Sequence, residues 1–432
     1  MSIWLLHLIF ACILCYYKKV SADAIRGVNL GGWLLTEEWI TPSLFRSTGT
    51  GDEWHLCNVL GKEGCRKRLE KHWRSFFTRD DFEDMAEAGL NAVRIPIGYW
   101  AVDVRDDEPY VSGQYPYMIQ AVQWAREVGF RVMIDLHGAP GSQNGQDNSG
   151  LIGPVLFPSN TSNADRSLNV LRNISAEFSR DVYGGAVTTI ELLNEPRLDD
   201  DNFPMPQLKT FYAEAAETVR DASSDLINVV IHDAFWGPTY WSSTSNSTTL
   251  PDTLDTHQYY AFPPLANLSR SEILSRICDT SQTLKNSSLS LPVLVGEFSL
   301  ETNSSPQASS PHAGPSQEQR TWYRLLFEAQ AAAYSPQSNG EGQPILGWYF
   351  WTWKTEWEID TWSYRRGRRD GWIPEDVGNA SAYAFPVLEN GCVDAQFEWT
   401  APEEVGGADR VGGVGWMGWW VVVGTVLVLS TF

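Results

Sequence analysis

The chain has 432 residues, a length that fits one large barrel or two to three smaller domains. Its formal net charge of −21 argues against nucleic acid and against an anionic membrane surface as binding partners, and is compatible with a neutral polymer. Aromatic residues make up 12% of the chain and 20 residues are Trp, whose indole faces can pack in a core or against a flat ligand.

Both ends of the chain are typical of targeting segments. Residues 1–22 contain an apolar run and end in Ser21 and Ala22, as in a secretory signal. Lys18 and Lys19 follow the apolar run, so an uncleaved anchor is the alternative. Residues 396–413 are predicted to be a linker and residues 414–432 a hydrophobic tail. The tail lacks a basic stop, which favours a glycolipid-anchor signal over a transmembrane helix.

Sequons and cysteines indicate an oxidising, secretory environment. Seven asparagines begin Asn-X-Ser/Thr triplets without proline at X: Asn160, Asn173, Asn246, Asn267, Asn286, Asn303 and Asn379. Two of the six cysteines lie in the predicted signal, and the remaining four are Cys57, Cys65, Cys278 and Cys392. Three pairings are possible. The short spacing favours Cys57–Cys65, which leaves Cys278–Cys392 to tie the tail to the body.

Between the ends, aliphatic runs alternate with segments of helical composition. The runs predict strands at residues 25–33, 91–97, 131–137, 189–196, 227–233, 253–259, 291–298 and 344–351. Helices are predicted at residues 66–88, 118–128, 165–178, 211–222, 271–284 and 317–334. Residues 39–65 are typical of an irregular entry segment, and residues 138–153 of a glycine-rich loop. The alternation predicts an α/β fold, a (β/α)8 TIM barrel that forms a single domain over residues 24–395.

Polar and aromatic side chains stand at the ends of the predicted strands, which meet at one mouth of a barrel. They are Arg94, His137, Asn194, Glu195, His257, Tyr259, Glu297 and Trp351. Two carboxylic acids at one mouth suit glycoside hydrolysis, in which one acid protonates the leaving oxygen and the other attacks or activates water. A lone Glu at a strand end could equally form a salt bridge at the rim, and either histidine could be structural.

Several motifs resemble a known family. Asn194-Glu195-Pro196 and Gly296-Glu297-Phe298 resemble the glycoside hydrolases of clan A, family five. Residues 26–33, 94–100, 135–145 and 350–354 are similar, more narrowly, to the fungal exo-1,3-β-glucanases of that family. The resemblance runs from about residue 24 to residue 392.

The resemblance implies a retaining double displacement that releases glucose from the non-reducing ends of β-1,3-glucan during cell-wall remodelling. Glu297 is then the nucleophile and Glu195 the acid/base, with carboxyl groups about 5–5.5 Å apart. The pKa of Glu195 is expected to be raised by the neighbouring carboxylate.

The resemblance also implies the substrate-binding residues. Arg94 keeps Glu297 ionised, Tyr259 holds it in line, and Asn194 binds the sugar 2-hydroxyl. The remaining contacts are assigned to Glu37, His137, Asp147, Asn148, His257, Phe262 and Trp351. Glu37, Asp147 and Asn148 could equally be solvated loop residues. Strand alternation alone cannot choose Trp351 over its neighbours Tyr349 and Trp353.

Two positions depart from the pattern of these glucanases. Gln146 stands where an aromatic residue clamps the next sugar together with the residue that matches Phe262. Phe298 replaces the usual Trp after the nucleophile. Both changes are expected to affect the acceptor subsite and the linkage preference.

Neither a cofactor nor a metal is expected, because the seven histidines show no close ligand spacing. The expected partner is a β-glucan, bound by a secreted monomer at the cell surface or cell wall. A membrane contact is expected only through the terminal anchor. An endo-β-1,6- or mixed-linkage glucanase or a transglycosylase is the alternative. A non-catalytic wall-binding protein is a further one, against which intact Asn194, Glu195 and Glu297 argue.

Overall fold

Eight parallel strands close into a barrel in which neighbours in the chain pair in order and β8 returns to β1. The structure is a computed structural model, and it describes residues 24–199, 202–244, 251–303, 314–337 and 343–402. The strands are β1 Ile25–Asn29, β2 Ala92–Gly98, β3 Arg131–Gly138, β4 Val187–Glu191, β5 Asn228–His232, β6 Thr253–Tyr260, β7 Val293–Thr302 and β8 Ile345–Phe350. The predicted (β/α)8 barrel is confirmed.

Helices connect the strands and cover the outside of the barrel. They are α1 Pro42–Phe45, α2 Glu53–Ser75, α3 Arg79–Glu87, α4 Tyr115–Glu127, α5 Thr161–Phe178, α6 Met205–Ser223, α7 Gly237–Thr244, α8 Arg270–Leu284, α9 Gln317–Ala333 and α10 Tyr364–Asp370. Their apolar faces and the outward side chains of the strands form the large hydrophobic core.

The barrel interior is apolar in one layer and polar in the next. A small separate cluster fills one layer, with side chains from five strands: Ala92, Met133, Val230, Leu294 and Tyr349. Two residues further along these strands, on the same face because side chains alternate, stand Arg94, Asp135, His232 and Trp351. The apolar layer therefore forms a packed floor under the polar groups at the carboxyl ends of the strands.

The segment before β2 differs from the prediction. Residues 53–65, predicted to be irregular, are helical, and the single helix predicted over residues 66–88 is two helices, α2 and α3. Asp52 begins α2 by accepting a hydrogen bond from the His55 amide. Thr78 begins α3 through a capping box with Asp81. Two cap signals were thus present in the sequence, although composition alone merged the helices.

Both disulfides favoured by the cysteine spacing are present, Cys57–Cys65 and Cys278–Cys392. Residues eight apart in a continuous helix are about 12 Å apart along its axis. The Cα atoms of Cys57 and Cys65 are only 4.9 Å apart. Gly61 between them has a left-handed backbone with φ of 66°, which breaks the helical path and brings the two cysteines together.

The residues after β8 pack against the barrel as far as Ala401, six residues beyond the predicted domain boundary at residue 395. The Ala401 amide donates to Thr321 Oγ1 at 3.0 Å, and Cys392 is tied to α8. The predicted signal at residues 1–22, most of the linker and the tail at residues 414–432 lie outside the described residues. No helix within the described ranges combines the length and the apolar character needed to cross a membrane.

Candidate active site

Glu297 lies within β7, in register with His257 of β6. Arg94 Nη1 donates to its Oε1 at 2.8 Å, and the Tyr259 hydroxyl donates to its Oε2 at 2.7 Å. Burial raises the pKa of Glu297 above its ordinary value, and the charges of His257 and Arg94 oppose that rise. The carboxylate is therefore fixed at both oxygens by groups on two other strands.

Glu195 follows β4 in a loop, and its backbone is left-handed with φ of 42°. His257 Nδ1 lies 2.6 Å from Oε1, and Asn148 Nδ2 donates to Oε2 at 3.0 Å. Burial raises the pKa of the Glu195 carboxyl, but the hydrogen bond and charge of His257 outweigh burial and bring the pKa to about 2. The expectation of a raised pKa was wrong because it considered only the neighbouring carboxylate.

His257 Nδ1 also fixes the distance between the two acids. It lies 2.6 Å from Glu195 Oε1 and 3.5 Å from Glu297 Oε2. These two oxygens therefore cannot be more than 6.1 Å apart. Inverting glycosidases separate their carboxyl groups by about 6.5–9.5 Å, whereas retaining enzymes hold them about 5–5.5 Å apart. The geometry suits a direct attack by one acid.

Arg94 is fully buried and connects several strands. Its guanidinium contacts Glu297, Glu191 and Asp135, with nitrogen–oxygen distances of 2.8, 2.8 and 3.0 Å. It also donates to Asn29 Oδ1 and Asn194 Oδ1. Five N–H donors in a rigid fork suit such a hub, which a lysine could not replace.

Four residues of this network were not predicted: Asn29, Asp135, Glu191 and Asp255. Two of them had a signal in the sequence. Asp135 precedes His137 by two residues on β3, and Asp255 precedes His257 by two on β6, so each pair shares one strand face. Asp135 Oδ2 lies 2.6 Å from His137 Nδ1. Asp255 Oδ2 lies 3.5 Å from His257 Nε2.

Two aromatic rings stack at the carboxyl ends of β3 and β8. The His137 ring stacks on Trp351, with centroids 5.4 Å apart and planes at 10°. Asn194 Nδ2 lies 3.4 Å from His137 Nε2. Of the three neighbouring aromatics in the sequence, Trp351 is the one that contacts His137, whereas the Trp353 indole donates to Asp81 Oδ1. Strand alternation could not distinguish Trp351 from Tyr349 and Trp353, whereas tertiary packing places Trp351 against His137.

The loop residues predicted to bind sugar lie in different surroundings. Glu37 is buried and accepts from Trp39 Nε1 at 2.9 Å, and burial with the charge of Asp147 raises its pKa. Burial also raises the pKa of Asp147. Asn148, predicted to contact outer hydroxyls, donates to Glu195 Oε2. His257, predicted to contact a hydroxyl, has its ring buried between carboxylates.

The two departures from the glucanase pattern are not equivalent. Gln146 is exposed in the loop after β3, and Phe262 is 54% exposed and packs edge-on against Tyr259. Phe298 is fully buried and packs against Phe350 and Trp348. The Phe298 side chain therefore belongs to the outer core, and its effect on the acceptor subsite stays a prediction.

Among the described residues, two groups could supply three metal ligands each within 4.8 Å: Glu195, His232 and His257, and Glu191, Asp255 and His257. His232 Nδ1 accepts a hydrogen bond from the Ala234 amide at 3.0 Å, so the neutral ring carries its proton on Nε2. His257 Nδ1 is engaged by Glu195. These hydrogen bonds engage the Nδ1 atoms of both rings, whereas neither Nε2 atom has a hydrogen-bond partner among the described residues.

Comparison with known proteins places the chain in a family. A sequence profile described as Cellulase (glycosyl hydrolase family 5) matches residues 57–356. The chain is 38% identical to the probable glucan 1,3-beta-glucosidase A of Aspergillus clavatus, over 78% of this chain and 84% of that protein. It is also 38% identical to glucan 1,3-beta-glucosidase 2 of Wickerhamomyces anomalus, over 84% and 90% of the respective chains.

Solved structures agree on the fold. The rutinosidase from Aspergillus niger superposes with a TM-score of 0.67 and 22% identity, over 82% of this chain and 98% of that one. The matched profile spans more than half of the sequence, and the identity to both glucosidases is well above what unrelated barrels share. The chain belongs to glycosyl hydrolase family 5 and is a glycoside hydrolase.

Proposed function

We propose that the protein is a retaining exo-acting glucan 1,3-β-glucosidase that releases glucose from the non-reducing ends of β-1,3-glucan. The observation that carries this proposal is the limit of 6.1 Å between the Glu195 and Glu297 oxygens that share His257. The substrate class rests on the relatives at 38% identity, whose names specify glucan 1,3-β-glucosidase.

In the proposed reaction, a Glu297 oxygen attacks C1 of the terminal glucose while Glu195 gives a proton to the departing glycosidic oxygen. Arg94 and Tyr259 hold the Glu297 oxygens during the attack. Glu195 then takes a proton from the water that cleaves the glycosyl–Glu297 ester, which restores both acids. No step requires a cofactor.

The other residues of the mouth supply binding in this proposal. Asn194 contacts the 2-hydroxyl, an interaction that strengthens in the transition state. Glu37, His137 and Asp147 bind further hydroxyls, and the Trp351 indole forms the floor under the sugar ring. Phe262 packs against the next sugar.

Product analysis on two polymers tests the proposal. Laminarin, a β-1,3-glucan, is expected to yield glucose as the sole early product, with the β-anomer formed first in proton NMR. Pustulan, a β-1,6-glucan, is expected to be a poor substrate. Glu297→Gln is expected to abolish hydrolysis of laminarin and of an aryl β-glucoside while the protein keeps its melting temperature. An active Glu297→Gln variant, or an initial α-anomer, rejects the retaining mechanism.

A second candidate, β-1,6- or mixed-linkage cleavage or glucosyl transfer, is favoured by the exposed Gln146. In the glucanases that this chain resembles, an aromatic residue at this position clamps the next sugar together with the match of Phe262. An amide in its place restricts the acceptor sugar less. Oligosaccharides longer than the starting laminarin at high substrate concentration indicate transfer. Early release of disaccharides or longer products from pustulan indicates endo action.

We infer that the protein acts outside the cell, at the surface or wall, as a monomer. Two disulfides support an oxidising environment. The six sequon asparagines within the described residues are all exposed, and Asn246 lies outside them. Treatment with an N-glycosidase and with a phospholipase specific for glycolipid anchors, followed by fractionation, tests glycosylation and anchoring separately.

A further inference from the structure

Two buried polar atoms face each other behind the acid/base. His257 Nε2 and Asp255 Oδ2 are 3.5 Å apart, and neither has another hydrogen-bond partner among the described residues. Their remaining polar atoms are engaged, because the Gly296 amide donates to Asp255 Oδ1 at 2.6 Å and His257 Nδ1 contacts Glu195 Oε1. An unsatisfied buried polar atom costs about 1–3 kcal/mol, so the two atoms are each other's natural partners.

The residues around Asp255 leave space for its carboxylate next to His257. Asp255 and His257 lie on the same face of β6, two residues apart. On the adjacent strand β7, a Cβ atom at Gly296 would collide with the carboxyl of Asp255. Glycine immediately before the nucleophile Glu297 thus leaves room for an acid from the neighbouring strand.

Charged groups on four strands besides β6 surround the His257 ring. Glu297 on β7 lies 3.5 Å from Nδ1, and His232 on β5 lies with its ring centroid 4.4 Å away. Glu191 on β4 is within 4.8 Å of the cluster, and Arg94 on β2 binds Glu191 and Glu297. Burial lowers the pKa of His257, but Glu297, Asp255 and Glu195 together raise it well above its ordinary value.

The tautomer of His257 decides where the shared proton can go. With an anionic acceptor next to Nε2, the neutral ring keeps its proton on Nε2 and turns the Nδ1 lone pair toward Glu195. Glu195 and Nδ1 then share a single proton that can reside on the carboxyl. With the opposite tautomer, Nδ1–H would donate to an ionised Glu195 that has no proton to give.

We propose that Asp255 is a positioning residue that holds the Nε2–H tautomer of His257 and so keeps a transferable proton on the His257–Glu195 pair. This inference rests on the proposed function and adds to it the source of the proton. During cleavage the proton passes from Glu195 to the glycosidic oxygen as the C1–O bond breaks, and the attacking water returns it. Asp255 stays ionised throughout and touches neither the sugar nor the leaving group.

The test compares substrates that do and do not need a proton. In Asp255→Asn, the amide oxygen can still accept from the Gly296 amide, but an NH2 group faces His257 Nε2 and favours the wrong tautomer. We expect kcat/KM for laminarin and methyl β-glucoside to fall about 10²–10⁴-fold, the usual contribution of general acid catalysis. Hydrolysis of 2,4-dinitrophenyl β-glucoside, whose leaving group needs no proton, is expected to change little.

Asp233→Asn is the matched control. Asp233 is buried on the neighbouring strand end, and its carboxylate accepts from the Phe235 amide rather than facing His257 Nε2. This variant is expected to keep the wild-type ratio between the two classes of substrate. A purely structural role of Asp255 predicts that kcat/KM of Asp255→Asn falls equally on both classes of substrate, and this result overturns the proposal. An unchanged kcat/KM on both classes also overturns it.

A spectroscopic measurement on the wild-type protein tests the tautomer directly and does not depend on whether the Asp255→Asn variant folds. In the wild-type chain with 15N-labelled histidine, the His257 resonance is expected to show a protonated Nε2 at every pH at which the enzyme is active. A neutral His257 with its proton on Nδ1 overturns the proposal. A wild-type enzyme that hydrolyses neither laminarin nor an aryl glucoside instead rejects the proposed function.

Discussion

The two acids at the barrel mouth differ in almost every respect except their chemistry. Glu297 lies inside a strand, is 5% exposed, and is held by Arg94 and Tyr259. Glu195 lies in a loop with a left-handed backbone and is held by His257 and Asn148. Burial raises the pKa of Glu297, whereas His257 brings the pKa of Glu195 to about 2.

This comparison teaches that the role of each acid follows from its partners. A proposed nucleophile needs a fixed position and a permanent cation, and Arg94 provides both because its charge cannot be removed near neutral pH. A proposed acid/base must exchange a proton in each cycle, and His257 is a partner that can also exchange one. Four substitutions test whether the two acids have these different roles, in order from the largest expected effect to the smallest.

Glu195→Gln removes the exchangeable proton while it keeps the shape of the side chain. We expect kcat/KM on laminarin to fall about 10²–10⁴-fold, because the leaving sugar is no longer protonated. The rate on 2,4-dinitrophenyl β-glucoside falls much less, and azide restores turnover by attacking the glycosyl–enzyme without a base. An equal loss on both substrates would contradict the assignment of Glu195.

Arg94→Met removes the permanent cation on the Glu297 side. Asp135, Glu191 and Glu297 are left close together without it, so we expect the free energy of unfolding to fall by about 3–5 kcal/mol. Activity is expected to fall with it, because Glu297 then favours its protonated form. Denaturant titration and kcat/KM measure the two effects.

Arg166→Met is the control for that change. Arg166 is also buried and pairs with Asp103 and Glu108, away from the acids. This variant is expected to lose stability and to keep the kcat of the folded fraction. A similar loss of kcat in both variants would mean that Arg94 acts only on stability.

His257→Asn tests the pH dependence that the histidine imposes. The imidazolium lowers the pKa of Glu297 against the effect of burial and also lowers that of Glu195. Its removal therefore raises both pKa values, and the ionised form of Glu297, the proposed nucleophile, is lost at a higher pH. The acid limb of the kcat/KM profile is expected to move up by about 1–3 pH units. His55→Asn, which replaces an exposed histidine, is the control and should leave the profile unchanged. A shift of the acid limb to lower pH in His257→Asn would contradict the prediction.

Tyr259→Phe removes one hydrogen bond from the Glu297 carboxylate. A hydrogen bond to a charged group contributes about 1.5–3 kcal/mol, which corresponds to a loss of about 13–160-fold in kcat/KM. Both classes of substrate are expected to be affected alike, in contrast to Glu195→Gln. Tyr99→Phe, which removes a hydrogen bond to Glu108 away from the mouth, should leave kcat/KM unchanged.

Much of the barrel could be predicted because strand and helix periods are local properties. The aliphatic runs gave all eight strands, and the short cysteine spacing favoured the observed pairing. The early start of α2 and the break before α3 were missed because caps at Asp52 and Thr78 outweigh the composition of residues 53–88. The helical path breaks at Gly61, which brings Cys57 and Cys65 together. This break is evident only from the backbone conformation of Gly61 in the folded chain.

The candidate site was predictable as a set of residues and not as a network. Arg94, Glu195, Tyr259 and Glu297 were predicted to lie at strand ends. The fold brings them together, although Arg94 and Glu297 lie inside their strands and Glu195 lies in the loop after β4. Asp255 and Asp135 share strand faces with His257 and His137, a signal that was present and unused. The contact of Asn148 with Glu195 had no signal, because a loop path decides it.

By itself, the sequence determined which strands form, which side chains face the barrel interior and which two strands carry or precede the acids, because these depend on the order of residues along the chain. Only the tertiary structure decided the partners of each acid, since a hydrogen bond between strands depends on barrel closure and register. The lowered pKa of Glu195 is the clearest case, because the imidazole that causes it comes from a strand 62 residues further along.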